Sequence, residues 1–175
     1  MKNLNVILIS RAISEKLYLS KLDGRTTIDK AKKLFRSSLF FTSTIDPNFE
    51  KLGLNKKSKA TLETEVEIYE MVKDANFEEI FTSLSDNLDV LCLTQSQIID
   101  FCEKHRSHLR QGCYGTFFLT KKDFEKPPTE DNLFVVRVEA HLYDLSVRVC
   151  HFGDSYIWHN YSRLPNLHVV APKLS

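Results

Sequence analysis

The spacing of apolar residues changes once along this chain. Up to about residue 112 they recur at steps of three and four, and after Gly115 at steps of two. A helix returns to the same face every 3.6 residues and a strand every 2, so the change separates a helical part, residues 26–112, from a sheet part, residues 115–172. In the sheet part "TFFLT", Thr116–Thr120, reads as the first strand. The connector "KKDFEKPPTEDN" follows, and its Pro127-Pro128 forbids regular pairing. Leu133–His141, Leu145–Phe152, Ser155–Tyr161 and Leu167–Ala171 then alternate between short turns. Four to five consecutive short strands predict an antiparallel β-meander with the N-terminal helices packed on one face, a single α+β domain over residues 26–175.

Within the helical part, Thr27 stands as a cap before Ile28, Ala31, Leu34 and Phe35, a stripe that should end near Ser37. Residues 38–60 read as a loop with one short turn, broken by Pro47 and Gly53. Its cluster Lys56, Lys57 and Lys59 reads as a solvated connector, although three lysines near a helix start are also able to meet a phosphate. From Thr61, Leu62, Val66, Tyr69 and Val72 recur at steps of four and three, which predicts an amphipathic helix with Glu63, Glu65, Glu67 and Glu70 largely on its other side. Asn76 with Glu79, and Thr94 with Gln97, have the spacing of capping boxes. The first opens a short helix with Phe77, Ile80, Phe81 and Leu84 on one stripe, and the second a helix from Gln95 to Gln111 stopped by Gly112.

A chain of 175 residues is long enough for one well-packed core. Its 24 basic and 23 acidic residues nearly cancel, to +1, which argues against binding nucleic acid or a membrane by bulk charge and leaves room for a local patch. Four cysteines, Cys92, Cys102, Cys113 and Cys150, follow no paired spacing and read as reduced thiols in a cytoplasmic protein. The apolar run Val6 to Ile9 is too short for a signal-peptide core or a membrane helix; it reads as a first strand or as part of a peripheral N-terminal extension, residues 1–25, ending at Asp23-Gly24. Cys102, His105, His108 and Cys113 are the one metal-like group. Cys102 and His108 lie about 120° apart around a helix, so neither a metal nor any other cofactor is expected.

One constellation on the predicted sheet bears on chemistry. A Gly153-Asp154 turn pairs Phe152 with Ser155 and brings Arg148 opposite His159; a four-residue loop, Leu142 to Leu145, pairs His141 with Ser146 and brings Glu139 opposite Arg148. Glu139, Arg148 and His159 then form a straight row on the outer face, neighbouring Cβ atoms about 5 Å apart. Such a row resembles the active-site surface of small microbial ribonucleases of the barnase class. The resemblance implies Glu139 as general base toward a 2′-hydroxyl, Arg148 as phosphate clamp and His159 as general acid, with RNA as substrate and no metal. The plainer reading is a set of opposite charges that stabilise strand pairing and have no chemistry.

The segments "TTIDKAKKLF", "EVEIYEMVKDANFEEIFTSL", "LCLTQSQIIDFCEKH" and "YGTFFL", with "HVVAPKL" after them, resemble an uncharacterised family of small bacterial proteins over about residues 26–175. That resemblance implies no activity, cofactor or partner at any position. Balanced charge and the lack of a catalytic motif put a non-enzymatic cytoplasmic interaction module first, with a protein or a second copy of the chain as partner and Phe124, Tyr143 and Tyr161 as anchors. A nucleic-acid module would have to draw on Arg137, Arg148 and Arg163.

Overall fold

The computed structural model describes residues 6–35, 45–111, 115–142, 144–160 and 167–174. Among the described residues seven strands form one sheet: β1 (Leu8–Ser10), β2 (Leu17–Leu19), β3 (Thr64–Met71), β4 (Thr116–Lys121), β5 (Leu133–Ala140), β6 (Leu145–His151) and β7 (His168–Pro172). Short helices accompany them: α1 (Asn48–Lys51), α2 (Phe77–Thr82) and α3 (Gln95–Lys104). The strand order is β1-β3-β7-β4-β5-β6, with β2 also on the outer edge of β3.

This corrects the expected antiparallel meander with helices on one face. β4 and β7 run parallel, with Thr116 opposite His168 and Phe118 opposite Val170, so the sheet is mixed. β7 does not follow β6 in space; it is inserted between β3 and β4 and pairs antiparallel with β3 on its other side. Both faces of the sheet are covered. Val66, Ile68, Phe118, Val136, Val138 and Val170 pack on one face with Ile98, Phe101 and Cys102 of α3. Met71, Phe117, Leu119, Val135 and Val169 pack on the other with Phe77, Ile80 and Phe81 of α2. A sheet covered on both sides buries successive residues of its central strands, and β4 is buried at all six positions.

The predicted helix from Thr61 is strand β3. Its sequence, TEVEIYEM, satisfies helical steps through Val66 and Tyr69 but also alternates, and a helix would leave Ile68 among the glutamates. The strand buries Val66 to 3% and Ile68 to 1% exposure, and Val, Ile, Thr and Tyr all favour the pleated surface. Residues 1–25, expected to be peripheral, contain β1 and β2, which pair with successive halves of β3. Leu17 and Leu19 are core residues.

Local signals fared better. Both capping boxes are formed, Asn76 with Glu79 at α2 and Thr94 with Gln97 at α3. The expected helix after Thr27 is only a 3-10 turn, Ile28–Lys30, and α3 stops at Lys104 before another 3-10 turn, Arg106–His108. Gly112, the expected stop, lies outside the described residues. No helix among the described residues is long and apolar enough to cross a membrane.

Candidate functional site

The row Glu139, Arg148 and His159 does not assemble. The β5–β6 loop closes one residue earlier on each side, pairing Ala140 with Leu145, so Glu139 lies opposite Ser146 and Arg148 opposite Arg137. Leu145, expected on the core face, is fully buried, and in this register it meets the equally buried Ala140. Glu139 is a shielded carboxylate: Arg137 Nη2 is 2.6 Å from its Oε1, and Ser146 Oγ donates to its Oε2 at 3.3 Å. Arg148 is exposed on β6, which forms one edge of the sheet.

His159 is not on a strand beside β6. The chain leaves β6 and crosses the α2 face, where Trp158 packs on Phe77 and Phe117 at ring distances of 5.5 and 4.9 Å and bridges to Ala75. That aromatic cluster, with Arg137 5.0 Å from the Trp158 ring, outweighs the hairpin that Gly153-Asp154 would make. His159 Nδ1 instead lies 2.8 Å from Asp74 Oδ2, and this bond holds the Asp74 carboxyl below its ordinary range. The geometric premise of the ribonuclease-like row is therefore absent.

A carboxylate, an arginine and an imidazole do meet elsewhere, in residues that sequence separation hides. His168 Nε2 on β7 lies 3.5 Å from Arg11 Nη1 and 3.7 Å from Glu70 Oε1, and Arg11 Nε is 3.6 Å from the same carboxylate oxygen. His168 Nδ1 is 3.1 Å from the His108 carbonyl, which requires the proton to sit on Nδ1 in the neutral ring. Burial pushes the His168 pKa down, partly opposed by that carbonyl bond. With its side chain 6% exposed and both nitrogens engaged, this imidazole braces β7 against the Arg11 segment and presents nothing to a solvent-borne substrate.

Cys92, Cys102 and Cys150 are free thiols, and Cys113 lies outside the described residues. Desolvation raises all three thiol pKa values, that of Cys92 to about 12. Cys102 is buried in the core, while His105 Nε2 meets the Tyr18 carbonyl at 3.1 Å and His108 Nε2 meets Glu15 at 3.5 Å. Among the described residues no group of three metal-ligating side chains exists. Of the expected anchors and basic positions, Tyr143, Tyr161 and Arg163 lie outside the described residues, Arg137 is committed to Glu139 and Trp158, and Phe124 is half-buried.

Phe124 belongs to the arrangement with the most evident binding character, a cleft of about 160 Å³ between residues 54–59 and the β4–β5 connector. Gln95, the first residue of α3, clamps one wall: its Nε2 donates to the Leu54 carbonyl and its Oε1 accepts from Ile28 N at 2.9 Å. Ser58 N donates to the Gly24 carbonyl at 3.0 Å and fixes the same wall lower down. The other wall is built around Lys121, whose side chain is 5% exposed. Its ammonium meets Asp89 at 2.6 Å and the carbonyls of Lys126 and Phe124 at 2.9 and 3.4 Å. Asn132 ties the connector further, accepting from Asp123 N at 2.8 Å and donating to the carbonyls of Asp123 and Pro127, each at 2.9 Å.

Five lysines line this cleft, Lys56, Lys57, Lys59, Lys121 and Lys122. Lys59 pairs with Glu125 across the mouth and Lys121 with Asp89. Lys56, Lys57 and Lys122 make no ion pair among the described residues, and the Lys122 chain lies over Gly53, whose φ of +67° lets the backbone turn beneath it. The sequence displays both lysine groups. Their convergence depends on how two connectors fold against α3, which no local pattern records. No family model, curated protein or solved structure matches the chain.

Proposed function

We propose that this chain is a non-enzymatic cytoplasmic interaction module that holds an anionic group in the lysine-lined cleft. One observation carries this reading: three lysines from two separately braced walls converge without carboxylate partners among the described residues. Like charges brought together cost free energy in the empty cleft, and an anion that neutralises them removes that cost. Both walls are fixed by buried side-chain bonds, through Gln95 and Lys121, so little ordering entropy opposes binding.

Isothermal titration at low salt tests the reading with phosphate, sulfate, citrate and glutamate as probes. Heat of binding should appear with at least one of them, weaken as salt rises, and vanish in a Lys57→Ala/Lys122→Ala double variant. No binding of any of the four up to about 10 mM would overturn the reading, since that limit corresponds to less than about 3 kcal/mol.

A further inference from the structure

We infer that the anion is a phosphate monoester, with the phosphoryl group between Lys56, Lys57 and Lys122 and its organic carrier against Phe124. This rests on the anion-binding reading above and names the ligand class for that cleft. The number of unpaired cations comes first. Three ammoniums match a dianion with three terminal oxygens, whereas a carboxylate offers one charge on two. Lysine binds as a mobile point charge, which suits the rotationally symmetric phosphoryl group better than the planar carboxylate that arginine matches.

The cleft's size and rim narrow the class further. A space of about 160 Å³ accepts one phosphoryl group and a small carrier, and excludes several repeats of a polymer. Asp123 and Glu125 stand on the same rim and would repel the flanking phosphates of a nucleic-acid strand while leaving a single phosphoryl group clear. Phe124 lines the cleft, half-buried, with the Lys121 ammonium 5.4 Å from its ring centre, and so supplies an apolar surface that inorganic phosphate would not use. The bridge between Lys59 and Glu125 closes the mouth with two exposed side chains, 65% and 76% accessible, so an entering dianion displaces it at little cost.

The experiment compares phenyl phosphate, inorganic phosphate, benzoate and a single-stranded oligouridylate by isothermal titration at one low salt concentration. Wild type, Lys57→Ala, Lys122→Ala and the surface control Lys51→Ala are used, each checked for native circular dichroism. Phenyl phosphate should bind about tenfold or more tighter than benzoate and tighter than inorganic phosphate. Each cleft substitution should weaken it about tenfold, the loss expected for one charge-assisted contact, and Lys51→Ala should leave it unchanged. Equal affinity for benzoate, or tightest binding of the oligouridylate, would overturn the monoester assignment while leaving an anion site in place. Failure of every anion would remove both readings, and an effect of Lys51→Ala equal to that of the cleft variants would show diffuse surface charge in place of a site.

Discussion

Replacing Lys121 by Met keeps the aliphatic stem and removes the ammonium, which isolates what that buried charge does for the β4–β5 connector. Three polar contacts are lost. The ion pair with Asp89 is short, at 2.6 Å, but the Asp89 side chain is 46% exposed, so water compensates most of it and about 0.5–1 kcal/mol remains. The bond to the Lys126 carbonyl at 2.9 Å is a charged donor to a backbone acceptor and contributes about 1.5 kcal/mol; that to Phe124 at 3.4 Å is long and adds little. The expected loss is therefore about 2 kcal/mol, against about 0.5 kcal/mol for Asp89→Asn, which keeps an acceptor in place. In urea, with a slope of about 2 kcal/mol per molar for a chain this long, Lys121→Met should lower the midpoint by about 1 M and Asp89→Asn by about a quarter of that. A Lys121→Met midpoint within about 0.2 M of wild type would refute the reasoning, and so would a larger effect of Asp89→Asn, because the backbone carbonyls would then not be what the ammonium holds.

Three further outcomes follow from particular contacts. Because burial depresses the His168 pKa, the unfolded chain takes up that proton before the folded one; stability should fall as pH drops below about 6.5, and a His168→Asn variant followed in urea from pH 8 to 5 should show a flatter slope. An equal slope in wild type and variant would discard His168 as the cause. Leu19→Ala should cost about 3 kcal/mol by thermal or chemical unfolding, since Leu19 is fully buried, and limited proteolysis should spare residues 17–22 as well as it spares the sheet; early cleavage there would return the segment to the periphery. Asn76→Ala removes a formed capping box and should cost about 1 kcal/mol, a value near zero meaning that α2 is held by Phe77 and Phe81 alone.

What the sequence discloses depends on how far apart the deciding partners lie. Asn76 and Glu79, or Thr94 and Gln97, are three residues apart, and both boxes were legible. Strands β4, β5 and β6 were legible to within a residue at each end, because each is a short run rich in Phe and Val bounded by turn signals. Thr64–Met71 was not, since its apolar residues fit two periods and the choice between them is made by β7 and β2 on either side. The Glu139 row failed for a different reason. A slip of two residues between β5 and β6 keeps every side chain on its face, so patterning cannot detect it. The hairpin after β6 was lost to Trp158, whose partners Phe77 and Phe117 lie on α2 and β4.

The placement of β7 has a kinetic consequence. β4, β5 and β6 form one half of the sheet and β3 with its two short neighbours the other; among the described residues β7, which follows all of them in sequence, is the strand that joins the two halves. Until His168–Pro172 docks, the facing edges of β3 and β4 stay open, each a row of unpaired amides and a template for another chain. Docking closes loops that reach back across most of the molecule, to Glu70 and to Thr116 together, so the rate-limiting step carries a large closure entropy and the chain should fold slowly for its length. The half-sheets are thus most prone to aggregation in the interval before their last strand arrives, and a β7 peptide added during refolding should compete for that slot.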